Sequence, residues 1–300
     1  MSEKCLLLQI KTKTMNLIVD SGSTKADWCI TDGGLLVSQT KTDGINPVFQ
    51  SDGEIMDLLE EALEKMGNAK SIDRVYFYGA GVRENTVEKL YLDIEYVFIT
   101  NNLNTNTLKI CVEGDLMGAA RALLKDSEGI ACILGTGANS CLYDGKKIVD
   151  NVPPMGYILG DEGSGAVLGK TLLNAMYKRR LPKEILDGFE AKYEMSLNDI
   201  IDKVYREPKA NRFLASLSPF VKSNIADGAV EQMVVEHFES FFRNNVASYG
   251  RRDLPVCFVG SIAYYFEQQL KEAARHEGFT VGTIVKSPLY GLVDYHSAMS

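Results

Sequence analysis

Basic clusters, long apolar runs, paired cysteines and histidines are all scarce in this 300-residue chain. Lys and Arg number 32 against 40 Asp and Glu, a formal charge of −8. That excludes the broad basic footprint of a nucleic-acid binder, although backbone amides can hold a small anion without any basic residue. No apolar run approaches the length of a membrane span, so no membrane partner is expected. The charged start, MSEKCLLLQIKTKT, has too short an apolar stretch for a secretory leader and lacks a small-residue cleavage site. Six cysteines, at 5, 29, 111, 132, 141 and 257, include no C-x-x-C pair. They read as buried thiols of a reducing compartment, which points to a cytoplasmic protein. Three histidines, His237, His276 and His296, are too scattered for a metal site or a triad, which leaves acid–base work to carboxylates. The P-loop pattern G-x-x-x-x-G-K-[ST] is absent, and neither GAGVRE nor GTGANS has the third glycine of a dinucleotide fingerprint.

What is present is a series of short elements. NLIVD and WCIT flank a Ser/Gly/Thr turn and read as a β-hairpin, with LLVSQTK as a third strand. SDGEIMDLLEEALEKMG predicts an amphipathic helix ending at Gly67. RVYFYGAGV is a strand running into a glycine-rich loop, ENTVEKLYLDI a helix, YVFIT and LKICVEGD two more segments, and DLMGAARALL a helix. The pattern then restarts: GIACILGTGANSCLYDGKKIV is strand, turn, strand, and GSGAVLGKTLLNAMYKRRL is a long helix. Residues 183–250 read as mostly helical, broken at Pro208 and Pro219. A strand, a Gly-Ser turn and a helix follow in VCFVGSIAYYFEQQLKEAARHEG, then TIVKS as a strand and GLVDYHSAM as a helix. Met15 directly precedes the first strong strand, so the first fourteen residues read equally as native sequence or as an upstream extension.

The restart is a repeat. Shifted by 112 residues, TKADWCITDG (24–33) lies over TGANSCLYDG (136–145), matching at Thr, Ala, Cys, Asp and Gly. The chain therefore divides near residue 117 into two related α/β halves, 15–117 and 118–300, the second with a helical insertion at about 183–250. A glycine in a tight turn lets the backbone approach a ligand, and successive N–H groups in one concavity make an anion site. Two such hairpins facing each other would grip a polyphosphate from both sides. Thr24 and Thr136 would donate hydroxyl hydrogen bonds, and Asp20, at the strand end, is placed to hold Mg²⁺ through water. Lys25 reads as a solvated turn residue.

LIVDSGSTKADW, CILGTGANSCLYDG, GYILGDEGSG and VCFVGSI, in this order and at these spacings, resemble the BadF/BadG/BcrA/BcrD-type ATPases. That family lies within the sugar-kinase, actin and Hsp70 superfamily, and the similarity is greatest to its N-acetylglucosamine kinase branch. The resemblance covers residues 15–300. It implies an α/β fold of two ribonuclease H-like domains with nucleotide and sugar in the cleft between them. ATP phosphates would meet Asp20–Thr24, with Gly22, Ser23 and Thr24 in the turn, and Gly135, Thr136 and Gly137; Gly260 and Ser261 would lie beside the nucleoside. The sugar would meet Asn46, Asp115, Ala138, Asn139, Gly156 and Asp161, with Asp115 as catalytic base.

Asp115 also stands where a helix N-cap would stand, and Asn46 where a turn asparagine would. VPPMG replaces the glycine-rich aromatic stretch usual in that branch, and Ala138 replaces a common serine. The implied activity is ATP- and Mg²⁺-dependent phosphorylation of N-acetylglucosamine on its 6-hydroxyl. Glucosamine and N-acetylmuramic acid are the substrate alternatives. An ATPase that activates a protein partner, as in the 2-hydroxyacyl-CoA dehydratase activators, is the alternative in another class. A DNA-binding regulator is not expected, because fourteen residues before the first strand cannot form a helix-turn-helix. The resemblance also allows a homodimer.

Overall fold

A computed structural model describes residues 14–67, 71–101, 103 and 107–298. Cys5 and nearly all of the stretch before Met15 lie outside the described residues. β1 (Met15–Ser21) and β2 (Lys25–Asp32) form the expected antiparallel hairpin, and β3 (Leu35–Asp43) extends it. β4 (Arg74–Gly79) and β5 (Lys109–Gly114) add in parallel beyond β1, giving the order β3-β2-β1-β4-β5.

The second sheet repeats this plan. β6 (Glu128–Leu134), β7 (Ala138–Asp144) and β8 (Ile148–Asp150) are antiparallel neighbours. β9 (Val256–Val259) and β10 (Val281–Val285) add in parallel beyond β6. The order β8-β7-β6-β9-β10 is that of the first sheet, strand for strand. Two sheets of one topology, each covered by helices, make the expected α/β pair of ribonuclease H-like halves.

On the first sheet lie α1 (Asp52–Met66) and α2 (Val87–Thr100). α1 starts on a Ser51/Glu54 capping box and stops at Gly67, whose φ of 70° ends the helix. Leu59 and Leu63 of α1 and Leu90, Ile94 and Val97 of α2 pack over Trp28 and Phe77 of the sheet. YVFIT is no separate segment. It is the end of α2, because Val97 and Phe98 fall on the buried face with Leu90 and Ile94, and helical period holds through Thr100.

α3 (Asp115–Leu124) carries the chain from the first sheet to the second. Leu116, Ala120 and Leu124 pack on Ala131, Cys141 and Tyr143. On the other side a Cβ at Gly118 would stand 2.9 Å from the Tyr78 side chain, so α3 is pressed against both sheets. α4 (Gly156–Leu159) and α5 (Gly165–Tyr177) follow β8. The helical stretch comprises α6 (Lys183–Tyr193), α7 (Leu197–Tyr205), α8 (Ala210–Ala215), α9 (Ser218–Ser223) and α10 (Gly228–Phe241). A π turn at Phe242–Val246 and a 3₁₀ turn at Ala247–Tyr249 end it. Pro219 starts α9 rather than interrupting a helix, since proline is tolerated in a first turn. α11 (Ser261–Tyr265) and α12 (Glu267–His276) separate β9 from β10. α13 (Leu289–Ala298) returns to the first sheet, where Leu289, Leu292 and Val293 pack on Ile18, Cys29 and Tyr78. Among the described residues no helix is long and apolar enough to cross a membrane.

Candidate active site

Both hairpin turns open into one cleft of about 1000 Å³ between the sheets. Gly22 N–H donates to Lys25 O (3.0 Å) in the first turn, and Gly135 N–H to Gly137 O (2.9 Å) in the second. The turns face each other: Thr24 Oγ1 and Thr136 Oγ1 are 3.3 Å apart. Ser23, beside Thr24, has its carbonyl held by the Arg212 guanidinium of α8.

The remaining residues that the sequence nominated line the same cleft. Asp20 stands at the end of β1, Asp115 at the start of α3 and Asn46 on the loop after β3. Ala138 and Asn139 begin β7, Gly156 opens α4, and Asp161 follows it. Gly260 and Ser261 form the turn after β9. Gly260 has φ 124°, and a Cβ there would lie 2.2 Å from Leu134 O, so only glycine lets the β9 turn close on the end of β6.

Burial dominates the electrostatics. Asp20 has its carboxyl pushed up to about 7, chiefly by desolvation, then by the charges of Asp27 and Asp115. Desolvation also raises Asp115, against the Leu116 N–H and the nearby positive charge of Arg83. Asp161 is pushed up to about 6 by desolvation, opposed by a hydrogen bond from the Ala138 backbone. Three carboxyl groups that give up their protons reluctantly suit a cleft that receives cations, hydroxyl protons or hydroxyl hydrogen bonds.

The cap of α3 is Gly114, not Asp115, which is the first helical residue. Asp115 Oδ1 accepts the neighbouring Leu116 N–H at 2.8 Å. Asn46 Oδ1 accepts Val48 N–H (3.0 Å) in the manner of a turn asparagine. Asn139 Oδ1 accepts from Ser140 N–H (2.9 Å) and Asn151 Nδ2 (3.0 Å), which fixes its amide plane. Lys25 is exposed but pairs with Asp27 at 3.4 Å rather than standing free in solvent. Glu162 does not line the cleft; it accepts from Asn244 and Asn245.

A second cavity of about 720 Å³ opens off the same turns, sharing Thr24, Gly135, Thr136 and Ser261 with the cleft. Its walls include Ala215, Pro219 and Lys222 from the helical insertion and Ile262, Tyr265 and Phe266 after β9. The sequence reading missed this cavity, and it missed Arg83 and Lys286 in the cleft. Arg83 had a faint signal, the glycine-rich loop it sits on. The insertion residues had none, because nothing local marks α8 and α9 as facing the turns that follow β6 and β9.

The sequence pattern of the BadF/BadG/BcrA/BcrD ATPase family matches residues 19–292. The crystal structure of a candidate N-acetylglucosamine kinase from Porphyromonas gingivalis is similar over 95% of this chain and 99% of its own, with 44% sequence identity and a TM-score of 0.90. A second such candidate, from Chromobacterium violaceum, shares the fold at 17% identity and a TM-score of 0.71, over 95% of this chain and 99% of that one. No curated protein sequence matches the chain. With nearly its whole length matched, the chain belongs to the BadF/BadG/BcrA/BcrD ATPase family.

Proposed function

We propose that the protein is an ATP-dependent amino-sugar kinase that phosphorylates the 6-hydroxyl of N-acetylglucosamine. The observation that carries this reading is the opposed pair of turns, Thr24 against Thr136, with the Asp115 carboxylate in the same cleft. The likeness to the Porphyromonas gingivalis protein supports the choice of sugar.

ATP phosphates would lie between the turn at Gly22, Ser23 and Thr24 and the turn at Gly135, Thr136 and Gly137. Their amides and hydroxyls would stabilise charge on the transferring phosphoryl group. The nucleoside would pass Gly260 and Ser261 into the second cavity, where Ile262, Tyr265 and Phe266 offer apolar contact. Asn46, Ala138, Asn139, Gly156 and Asp161 would surround the sugar. Asp115 would accept the proton of the attacking hydroxyl, a role worth about 10²–10⁴ in rate.

Asp20 is the residue that would hold Mg²⁺. Its carboxyl feels the negative charges of Asp27 and Asp115, a repulsion that a cation would relieve. Among the described residues no three metal-binding side chains converge. That suits an ion which keeps several waters and takes its remaining ligands from phosphate. When bound, Mg²⁺ supplies neutralisation of phosphate charge.

The described cysteines lie buried or half-buried within the chain. None is fully exposed to share an iron–sulfur cluster with a second copy. The deciding experiment is ADP release with Mg-ATP against N-acetylglucosamine, glucosamine, N-acetylmannosamine, N-acetylmuramic acid and glucose. Strong turnover on N-acetylglucosamine is expected. Silence across the panel with slow sugar-independent ATP hydrolysis would replace this reading with an ATPase that drives a protein partner.

A further inference from the structure

The π turn at Phe242–Val246 is a local departure from α-helical geometry that the proposed reaction leaves unexplained. Such turns recur at functional sites, where they re-aim side chains. Successive residues of an α-helix project about 100° apart, and the wider π turn narrows that angle. Here two successive asparagines converge on one carboxylate. Asn244 Nδ2 donates to Glu162 Oε1 (3.1 Å), and Asn245 Nδ2 to Glu162 Oε2 (3.4 Å). Asn245 is buried; Asn244 is exposed and also donates to Ser240 Oγ (3.2 Å).

Glu162 adjoins Asp161, which holds a left-handed backbone, φ 52°, without being glycine. That conformation persists only where its surroundings hold it. Asp161 N–H donates to Pro154 O (2.8 Å), and Ser164 N–H donates to Asp161 O (3.0 Å). The next residue but one, Gly163, is so close to the helical insertion that a Cβ would stand 3.0 Å from the Phe241 side chain. Buried His237 of α10 lies beneath the backbone of Gly163 and Ser164. On its far side Asp161 reaches the second turn, where a Cβ on Gly137 would be 3.2 Å from Asp161 Oδ2. The loop is thus held between the π turn and the turn at 135–137.

We propose that Asn245, presented together with Asn244 by the π turn, is a positioning residue for the sugar site: it anchors Glu162 and so fixes Asp161 against the second turn. Asn245 touches no substrate. It acts through Glu162, which supports the strained residue that meets the sugar. This inference rests on the amino-sugar kinase reading.

Steady-state kinetics of the full chain, wild type beside Asn245→Leu, Glu162→Gln and the double variant, test it with N-acetylglucosamine and Mg-ATP. Loss of the anchor lets Asp161 drift, and a misplacement of about 1 Å can cost up to about a hundredfold. The KM for sugar is expected to rise on the order of tenfold in each single variant while the KM for ATP stays within about twofold. The double variant is expected to be no worse than the worse single one, because both act through one contact. A merely structural role would move both KM values together with thermal stability. A sugar KM unchanged in Asn245→Leu and Glu162→Gln, or a parallel rise for sugar and ATP, overturns the proposal. Should Asn245→Leu not fold, Glu162→Gln alone decides. A wild-type protein that turns over no sugar overturns the kinase reading and this inference with it, whereas an active enzyme with an unmoved sugar KM overturns this inference alone.

Discussion

Thr24 and Thr136 bring their hydroxyls within 3.3 Å across the cleft, and they stand 112 residues apart in the chain. That is the offset at which TKADWCITDG overlies TGANSCLYDG. The sequence repeat is therefore a spatial pair, one turn from each sheet meeting its counterpart. If both hydroxyls donate to phosphate, losing either removes a hydrogen bond to a charged group, worth about 1.5–3 kcal/mol. Thr24→Val and Thr136→Val should each lower kcat/KM for ATP by about ten- to a hundredfold, with serine at either position restoring most of it. Wild-type values in both valine variants would remove the hydroxyls from the phosphate site.

Asp115→Asn keeps the side-chain oxygen that accepts the Leu116 N–H but cannot take a proton. Turnover is expected to fall by about 10²–10⁴ while N-acetylglucosamine still binds, measured by calorimetry with and without nucleotide. Near-normal ADP release would show that another group is the base.

Asp161 is raised from 3.8 to about 6 in the folded protein. Between those values the native state binds more protons than the unfolded chain. The contribution of Asp161 to stability is therefore complete below about pH 4 and is lost as the pH rises through about 6. Asp161→Asn should flatten that part of the stability–pH curve of the unliganded protein, followed by urea denaturation. An unchanged slope over this window would mean that Asp161 is not desolvated.

Gly260→Ala forces a Cβ to within 2.2 Å of Leu134 O at φ 124°. The end of β6 must shift, and with it Gly135 of the second turn. A loss of about 2–4 kcal/mol is expected in denaturant melts, with a raised KM for ATP. Stability within about 0.5 kcal/mol of wild type would show that the β9 turn has room to move.

Local chemistry made the hairpins, their turns and the end of α1 at Gly67 legible in the sequence. Gly67 ends α1 as read, while the Ser51/Glu54 capping box at its start, equally local, was not read from the sequence. Asp20, Thr24, Gly135 and Thr136 stood out because turns at strand ends need small residues and a carboxylate there is conspicuous, whereas Asp161 and Gly260 were marked by the family resemblance. All of them line one cleft. The misreading was also local: YVFIT has strand-like residues, yet packing of Val97 and Phe98 on the first sheet kept it in α2. The cap role, the alternative weighed for Asp115, falls to the extended backbone of Gly114.

The sequence by itself determined the two hairpins, their repeat and the residue types of their turns, because each is encoded in a few adjacent residues or in one fixed offset. Only the tertiary structure decided what stands around that site. Arg212 reaches the Ser23 carbonyl across 189 residues, Asn244 and Asn245 close on Glu162 across more than 80, and α13 returns to Ile18 and Tyr78 of the first sheet. Those contacts are set by how the helical insertion and the last helix pack on the two sheets. No periodicity or motif within either segment records its distant partner.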